Sequence, residues 1–313
     1  MNRYGTPLRY PGGKQRLAPF IAEVLHENGL EGGDYVEPFA GGAGVAVDLL
    51  LNEQVSRIHL NDLCRPVYAF WRAILTKTDA FCSLIASASL TVAEWRRQKH
   101  LLARPNDCDQ LTLAFSFFYL NRCNRSGIPS GGVIGGLKQS GKWTIGARFP
   151  RNELIRRIEL IAAKKSSITV KNWDAEVFLT EYVSKLPKKT LVYCDPPYFQ
   201  KSDRLYLNHY EPADHARLAK TIQQTIKASW LVSYDAVPAV VEHYSKRRSF
   251  KYALQYNAAT AYKGTEVFII SDNAQLPCKS AVKCIDAGLQ HVAQKTCRKR
   301  PNRRRKLNAR RVR

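Results

Sequence analysis

The sequence predicts an α/β fold on a mostly parallel sheet, interrupted by a helical insertion and followed by a basic tail. Three observations carry this reading. Short apolar runs ending at small or acidic residues alternate with segments of helical periodicity, the alternation breaks between residues 76 and 150, and the composition changes after residue 275. With 313 residues, 45% of them hydrophobic, the chain can bury a sizeable core. No stretch approaches the roughly 18 to 20 apolar residues that span a bilayer. The opening Met1-Asn2-Arg3-Tyr4-Gly5 lacks the apolar run of a secretory signal, so a cytoplasmic protein that contacts no membrane is expected.

In chain order, strands are predicted at 35–37, 57–60, 168–171, 190–194 and 230–234, with helices at 44–51, 65–75, 152–164 and 212–228. Between them, residues 76–150 have a different texture. Helix-like stretches at 91–102 and 111–121 lead into the polar segment 122–149, in which glycines are interspersed with Arg122, Arg125, Lys138, Lys142 and Arg148. Loops of that length in compact domains are functional or disordered. A hairpin over 250–255 and 267–271 ends the folded body. The division that follows is a catalytic domain of 1–75 and 151–275, an inserted domain of 76–150, and a tail of 276–313 that is expected to be disordered.

The charge is strongly asymmetric, with 49 basic against 26 acidic residues and a net of +23. From Lys279 onward 13 basic residues face the single acid Asp286, a net of +12, which leaves +11 on the body. Both parts therefore suit a polyanionic partner. The 8 cysteines form no C-x-x-C pair and read as reduced thiols. Cys278, Cys284, His291 and Cys297 match no common zinc spacing, and no metal is expected.

Two segments carry chemistry on their own residues. Tyr35-Val36-Glu37-Pro38-Phe39-Ala40-Gly41-Gly42-Ala43-Gly44 runs from a strand into a glycine cluster that opens a helix, allowing close backbone approach to a ligand. Asn61-Asp62 ends the next strand, where an acid commonly accepts hydrogen bonds from ribose hydroxyls. Glu37 disfavours a pyrophosphate and suits a cationic nucleoside ligand such as S-adenosylmethionine. In Asp195-Pro196-Pro197-Tyr198 two prolines remove amide donors, leaving the Asp195 carboxylate and the Pro196 carbonyl as acceptors. An exocyclic amine of a nucleobase needs such acceptors, because its lone pair is otherwise delocalised into the ring; the Tyr198 ring could stack on that base.

With Tyr10-Pro11-Gly12-Gly13-Lys14 preceding these segments, residues 5–272 resemble the Dam-like, D12 class of adenine-N6 DNA methyltransferases. The resemblance implies a Rossmann-like S-adenosylmethionine-dependent methyltransferase sheet with an inserted, mainly helical target-recognition domain. It implies that Tyr10, Lys14, Glu37, Phe39, Gly41, Gly42, Asp62, Asp174 and Asp195 form the cofactor site, and that Asp195, Pro196, Pro197 and Tyr198 act in catalysis on an adenine flipped out of double-stranded DNA. Asn121, Arg122, Arg125, Lys138, Lys142 and Arg148 become the expected DNA contacts. Ala43 departs from the family pattern, standing where its second glycine is usual, and residues 122–136 do not follow the enzymes that read GATC. Recognition sequence, oligomeric state, bacterial or viral origin and any companion restriction endonuclease stay open. Cytosine-N4 methylation, RNA adenine methylation and a non-catalytic DNA-binding relative are the alternatives; the first more often carries Ser at the position of Asp195.

Overall fold

The computed structural model describes residues 5–9, 14–199, 210–256, 262–277 and 290–291. The expected Tyr10 contact, the basic end of the tail and Cys278, Cys284 and Cys297 lie outside them. Eight strands form one mixed sheet: β1 (Asp34–Glu37), β2 (Arg57–Asn61), β3 (Ile168–Lys171), β4 (Thr190–Cys194), β5 (Ser229–Asp235), β6 (Arg248–Tyr256), β7 (Tyr262–Ile270) and the two-residue β8 (Gln290–His291). Their order is β3-β2-β1-β4-β5-β7-β6-β8. The first five are parallel; β7 runs antiparallel between β5 and β6.

All residues of β1 and β4 are buried, as expected of central parallel strands covered on both faces. Alternation along them feeds two cores. Tyr35, Leu191 and Tyr193 join the larger cluster, whereas Val36, Val192 and Cys194 join the smaller one on the opposite face. The larger core receives α1 (Ala18–Glu27), α2 (Gly44–Leu51) and α3 (Arg65–Thr76).

Within the predicted insertion fold α4 (Thr78–Ser87), α5 (Val92–Leu102) and α6 (Gln110–Cys123), followed after a long loop by α7 (Arg151–Ala163). The first of these had no counterpart in the sequence reading. Capping is explicit: Thr91 accepts from the Glu94 amide at the start of α5, and Asp109 accepts from the Leu111 and Thr112 amides at the start of α6. Helices α4, α5 and α6 pack into the same core as α3 and α7; the Phe118 ring of α6 stacks on Phe70 of α3, with centroids 5.8 Å apart. The other face of the sheet is covered by α8 (Ala175–Glu181), α9 (Pro212–Thr225) and α10 (Pro238–His243). Among the described residues no helix is long and apolar enough to cross a membrane.

The end of α6 corrects two expectations. Asn121 and Arg122, predicted to touch DNA, are buried, because α6 is enclosed all round from Leu113 to its C-terminus. Their polar groups clasp the incoming N-terminal segment instead. Asn121 Oδ1 accepts from the Arg9 amide at 2.7 Å, and its Nδ2 donates to the carbonyls of Arg9 at 2.6 Å and Gly127 at 3.0 Å. The Arg122 guanidinium donates to the carbonyls of Arg148 at 2.6 Å and Pro7 at 3.4 Å. Gly127 completes the clasp with a φ of +75°, and a Cβ there would sit 2.3 Å from the Arg9 carbonyl oxygen.

Gly127→Ala therefore combines a left-handed backbone with a backbone clash and should destabilise the fold by about 1 to 3 kcal/mol. Amide exchange at Arg9 should accelerate with it. Gly132→Ala, whose Cβ would meet nothing within 4 Å, serves as the control and should leave both melting and exchange unchanged.

Candidate active site

A cavity of about 220 Å³ opens at the carboxyl ends of β1, β2 and β4. Strand order reverses between β1 and β4, the place where open α/β sheets bind ligands. The turn from β1 into α2 forms its floor. The Gly41 amide donates to Asp62 Oδ2 at 2.8 Å, and the Gly41 carbonyl accepts from Trp71 Nε1 at 3.0 Å. Asn61 ties three strand ends together: its Nδ2 donates to the Pro38 and Trp173 carbonyls, and its Oδ1 accepts from the Trp173 amide. Gly41 has φ +46°, and Ala43, at the position where the resemblance leads one to expect glycine, takes φ +43°. An L-residue there costs about 1 kcal/mol, and the surrounding bonds hold it in place.

The predicted cofactor residues assemble around this turn. Glu37, Phe39, Gly41, Gly42, Asp62, Lys14 and Asp195 all line the cavity. Glu37 is buried, and its Oε1 accepts from the Ala46 amide in the first turn of α2 at 3.1 Å. Burial pushes its pKa up to about 8 against the opposing effect of that bond. Asp62 accepts from Gly41 on one oxygen and from the Cys64 amide on the other, and burial raises its pKa to about 6. Each oxygen keeps a second lone pair for a ligand hydroxyl. Asp174 is exposed and caps α8 by accepting from the Glu176 and Val177 amides; its neighbour Ala175 reaches the cavity.

Asp195 follows β4 with its side chain 24% exposed. Its Oδ1 accepts from Ser233 Oγ at 2.6 Å and lies 3.1 Å from Lys14 Nζ. Both contacts fall on one oxygen. Pro197 lines the cavity, while Pro196 and Tyr198 are buried. Tyr198 does not reach this cavity; its hydroxyl accepts from Lys14 Nζ at 2.9 Å and donates to Glu266 Oε1 at 2.8 Å. Aromatic rings do line the cavity, among them Tyr210, edge-on to Phe39 with centroids 5.9 Å apart.

Sequence reasoning did not single out Glu266 or Ser233, which contact the Lys14–Asp195 pair, or Tyr210 and Thr6, which line the cavity. A signal existed for Glu266. Strand alternation places it on the same face as Phe268 and Ile270, which are core residues, and an acid at a core position is a candidate for function. Of the expected DNA contacts, Arg125, Lys138, Lys142 and Arg148 are exposed on the long loop. Leu137 and Trp143 stand among them, 58% and 62% exposed. Among the described residues no group of three or more His, Cys, Asp or Glu side chains could hold a metal ion.

The model of a family described as D12 class N6 adenine-specific DNA methyltransferase matches residues 10–261. The chain is 26% identical over 231 residues to a DNA adenine methylase of Salmonella typhi, covering 70% of this chain and 76% of that protein. It is 22% identical over 206 residues to the type II methyltransferase M.MjaIII of Methanocaldococcus jannaschii, covering 61% of this chain and 68% of that one. A solved rRNA methyltransferase, aviRa from Streptomyces viridochromogenes, overlaps with 84% of this chain and 87% of its own at 13% identity and a TM-score of 0.36. On the family match, which spans most of its length, the chain belongs to the D12 class of N6 adenine-specific DNA methyltransferases.

Proposed function

We propose that this protein transfers the methyl group of S-adenosylmethionine to N6 of an adenine displaced from duplex DNA, with Asp195 receiving the amine. The observation that carries the reading is the Asp195 carboxylate at the cavity, anchored through Oδ1 by Ser233 and Lys14, which would leave Oδ2 for the amine. The cavity fits the methyl donor: a glycine turn without side-chain obstruction, the Asp62 lone pairs for ribose hydroxyls, and the buried Glu37 carboxyl for the cationic amino-acid end. Lys14, Glu37, Phe39, Gly41, Gly42 and Asp62 would hold it, with Asp174 at the rim. When bound, it supplies an electrophilic methyl group on a sulfonium.

The chain's own residues do the rest. Asp195 Oδ2 and the Pro196 carbonyl accept the two N6 hydrogens, which localises the nitrogen lone pair. Asp195 then takes the proton that the methylated nitrogen loses. Alignment supplies most of the acceleration, because no covalent enzyme intermediate is needed. An adenine in a duplex must leave the stack to reach this cavity. The exposed Arg125, Lys138, Lys142 and Arg148 would meet the DNA, so that residues 76–150 serve as the target-recognition part of a catalytic unit formed by 1–75 and 151–275.

Three outcomes are expected. Asp195→Asn should lower kcat on duplex DNA by at least about a hundredfold, in line with the loss of a group active mainly in the transition state. Its S-adenosylmethionine affinity should stay within threefold of wild type. Mass spectrometry of the product nucleosides should show N6-methyladenine; N4-methylcytosine, or transfer only to RNA, would sink the assignment.

The raised pKa of Glu37 leaves it mostly protonated at pH 7, whereas a cationic ligand favours the ionised form. Binding should therefore release a proton. Affinity for S-adenosylmethionine should rise between pH 6.5 and 7.5, by up to about tenfold per pH unit. Glu37→Gln should flatten that rise in calorimetric titrations. Replacing both Lys138 and Lys142 by Ala should reduce the slope of log affinity for DNA against log salt by about 2, and cofactor affinity should not change.

A further inference from the structure

Glu266 is a buried charge close to Asp195 that the methyl-transfer reading leaves without a task. It lies in β7, paired with Asp235 of β5 on one side and Tyr252 of β6 on the other, and is 2% exposed. Its Oε1 accepts from the Tyr198 hydroxyl at 2.8 Å and stands 3.4 Å from Lys14 Nζ. Its Oε2 accepts from the Tyr252 hydroxyl. The Tyr252 ring in turn stacks on Phe268 with centroids 3.8 Å apart, so one side of the carboxylate is apolar. A strand interior of this kind is expensive for a carboxylate, because its charge must be taken out of water.

The arrangement has an electrostatic consequence. One ammonium, Lys14, answers two carboxylates, Asp195 at 3.1 Å and Glu266 at 3.4 Å. Were Glu266 neutral, Asp195 would be the anion among the described residues that is left to Lys14, and the two would pair more fully. A carboxylate so paired is a weaker acceptor for an incoming amine, since its charge is already spent on a cation. The same glutamate also fixes Tyr198, whose hydroxyl bridges Lys14 to Glu266.

We infer that Glu266 is a positioning residue for methyl transfer: it shares the Lys14 ammonium and holds the Tyr198 hydroxyl, so that Asp195 keeps its acceptor strength for the amine. This rests on the reading that Asp195 receives an exocyclic amine. Glu266 does not touch the substrate and acts through Lys14.

Glu266→Gln keeps the shape and a hydrogen-bonding oxygen but removes the charge. It should lower kcat about 10- to 100-fold, with KM for DNA and Kd for S-adenosylmethionine each within threefold of wild type. Because it acts through Lys14, its effect should vanish once Lys14 is gone: Lys14→Met and the Lys14→Met/Glu266→Gln double variant should have kcat values within twofold of each other. A purely structural role would instead raise KM and Kd and would multiply with the Lys14 defect. If Glu266→Gln does not fold, Glu266→Met, which also removes the charge at similar volume, takes its place in the same cycle. Wild-type turnover with an unimpaired Glu266 variant, or with multiplicative losses, overturns the inference alone. Wild-type protein that forms no N6-methyladenine overturns the methyl-transfer reading and this inference with it.

Discussion

The site depends on one buried ammonium. Lys14 is 7% exposed and reaches Asp195 and Glu266, two residues delivered by different strands, from a short helical turn ahead of α1. Burial by itself lowers its pKa, yet Asp195 and then Glu266 outweigh that effect and hold it well above the ordinary lysine value. The cation thus joins the beginning of the chain to the end of β4 and to β7. Removing the ammonium would leave both carboxylates without that cation in a low-dielectric setting, where breaking a buried pair costs about 3 to 5 kcal/mol.

Around that cation the parallel sheet does geometric work. Strands β1, β2 and β4 end side by side, so Glu37, Asp62 and Asp195 converge although long stretches of chain separate them. Asn61 and Asp62 then brace the glycine turn from the side, which is how Ala43 is kept in a backbone region that alanine disfavours. The strain sits where the floor of the cavity must pass close to a ligand.

Much of this was legible before any coordinates. Strands 168–171 and 190–194 and helix 44–51 were read to the residue, because continuous apolar runs and a glycine start are local signals. Helix α4 was not, since Phe81 and Ile85 are its buried anchors and two apolar residues make a faint period. Asn121 and Arg122 were misread for a different reason. Next to a glycine-rich basic loop they look like a nucleic-acid surface, and what buries them is the carbonyls of Pro7, Arg9 and Arg148, contacts with no imprint on the neighbouring sequence. Glu266 shares that character, because its partners Lys14 and Tyr198 lie far away in the chain.

The loop after α6 largely satisfies its own backbone. Asn124 Nδ2 donates to the carbonyls of Ile128 and Pro129, and Gln139 bonds the Ile134 and Gly136 carbonyls and the Ile145 amide. The clasp on the N-terminal segment ends at Gly127. Outward side chains such as Lys138, Lys142 and Trp143 can therefore be exchanged without disturbing the clasp or the cavity floor. The architecture is modular: outward side chains on one stretch of loop can diverge while the glycine turn and the buried ion cluster beneath it stay the same.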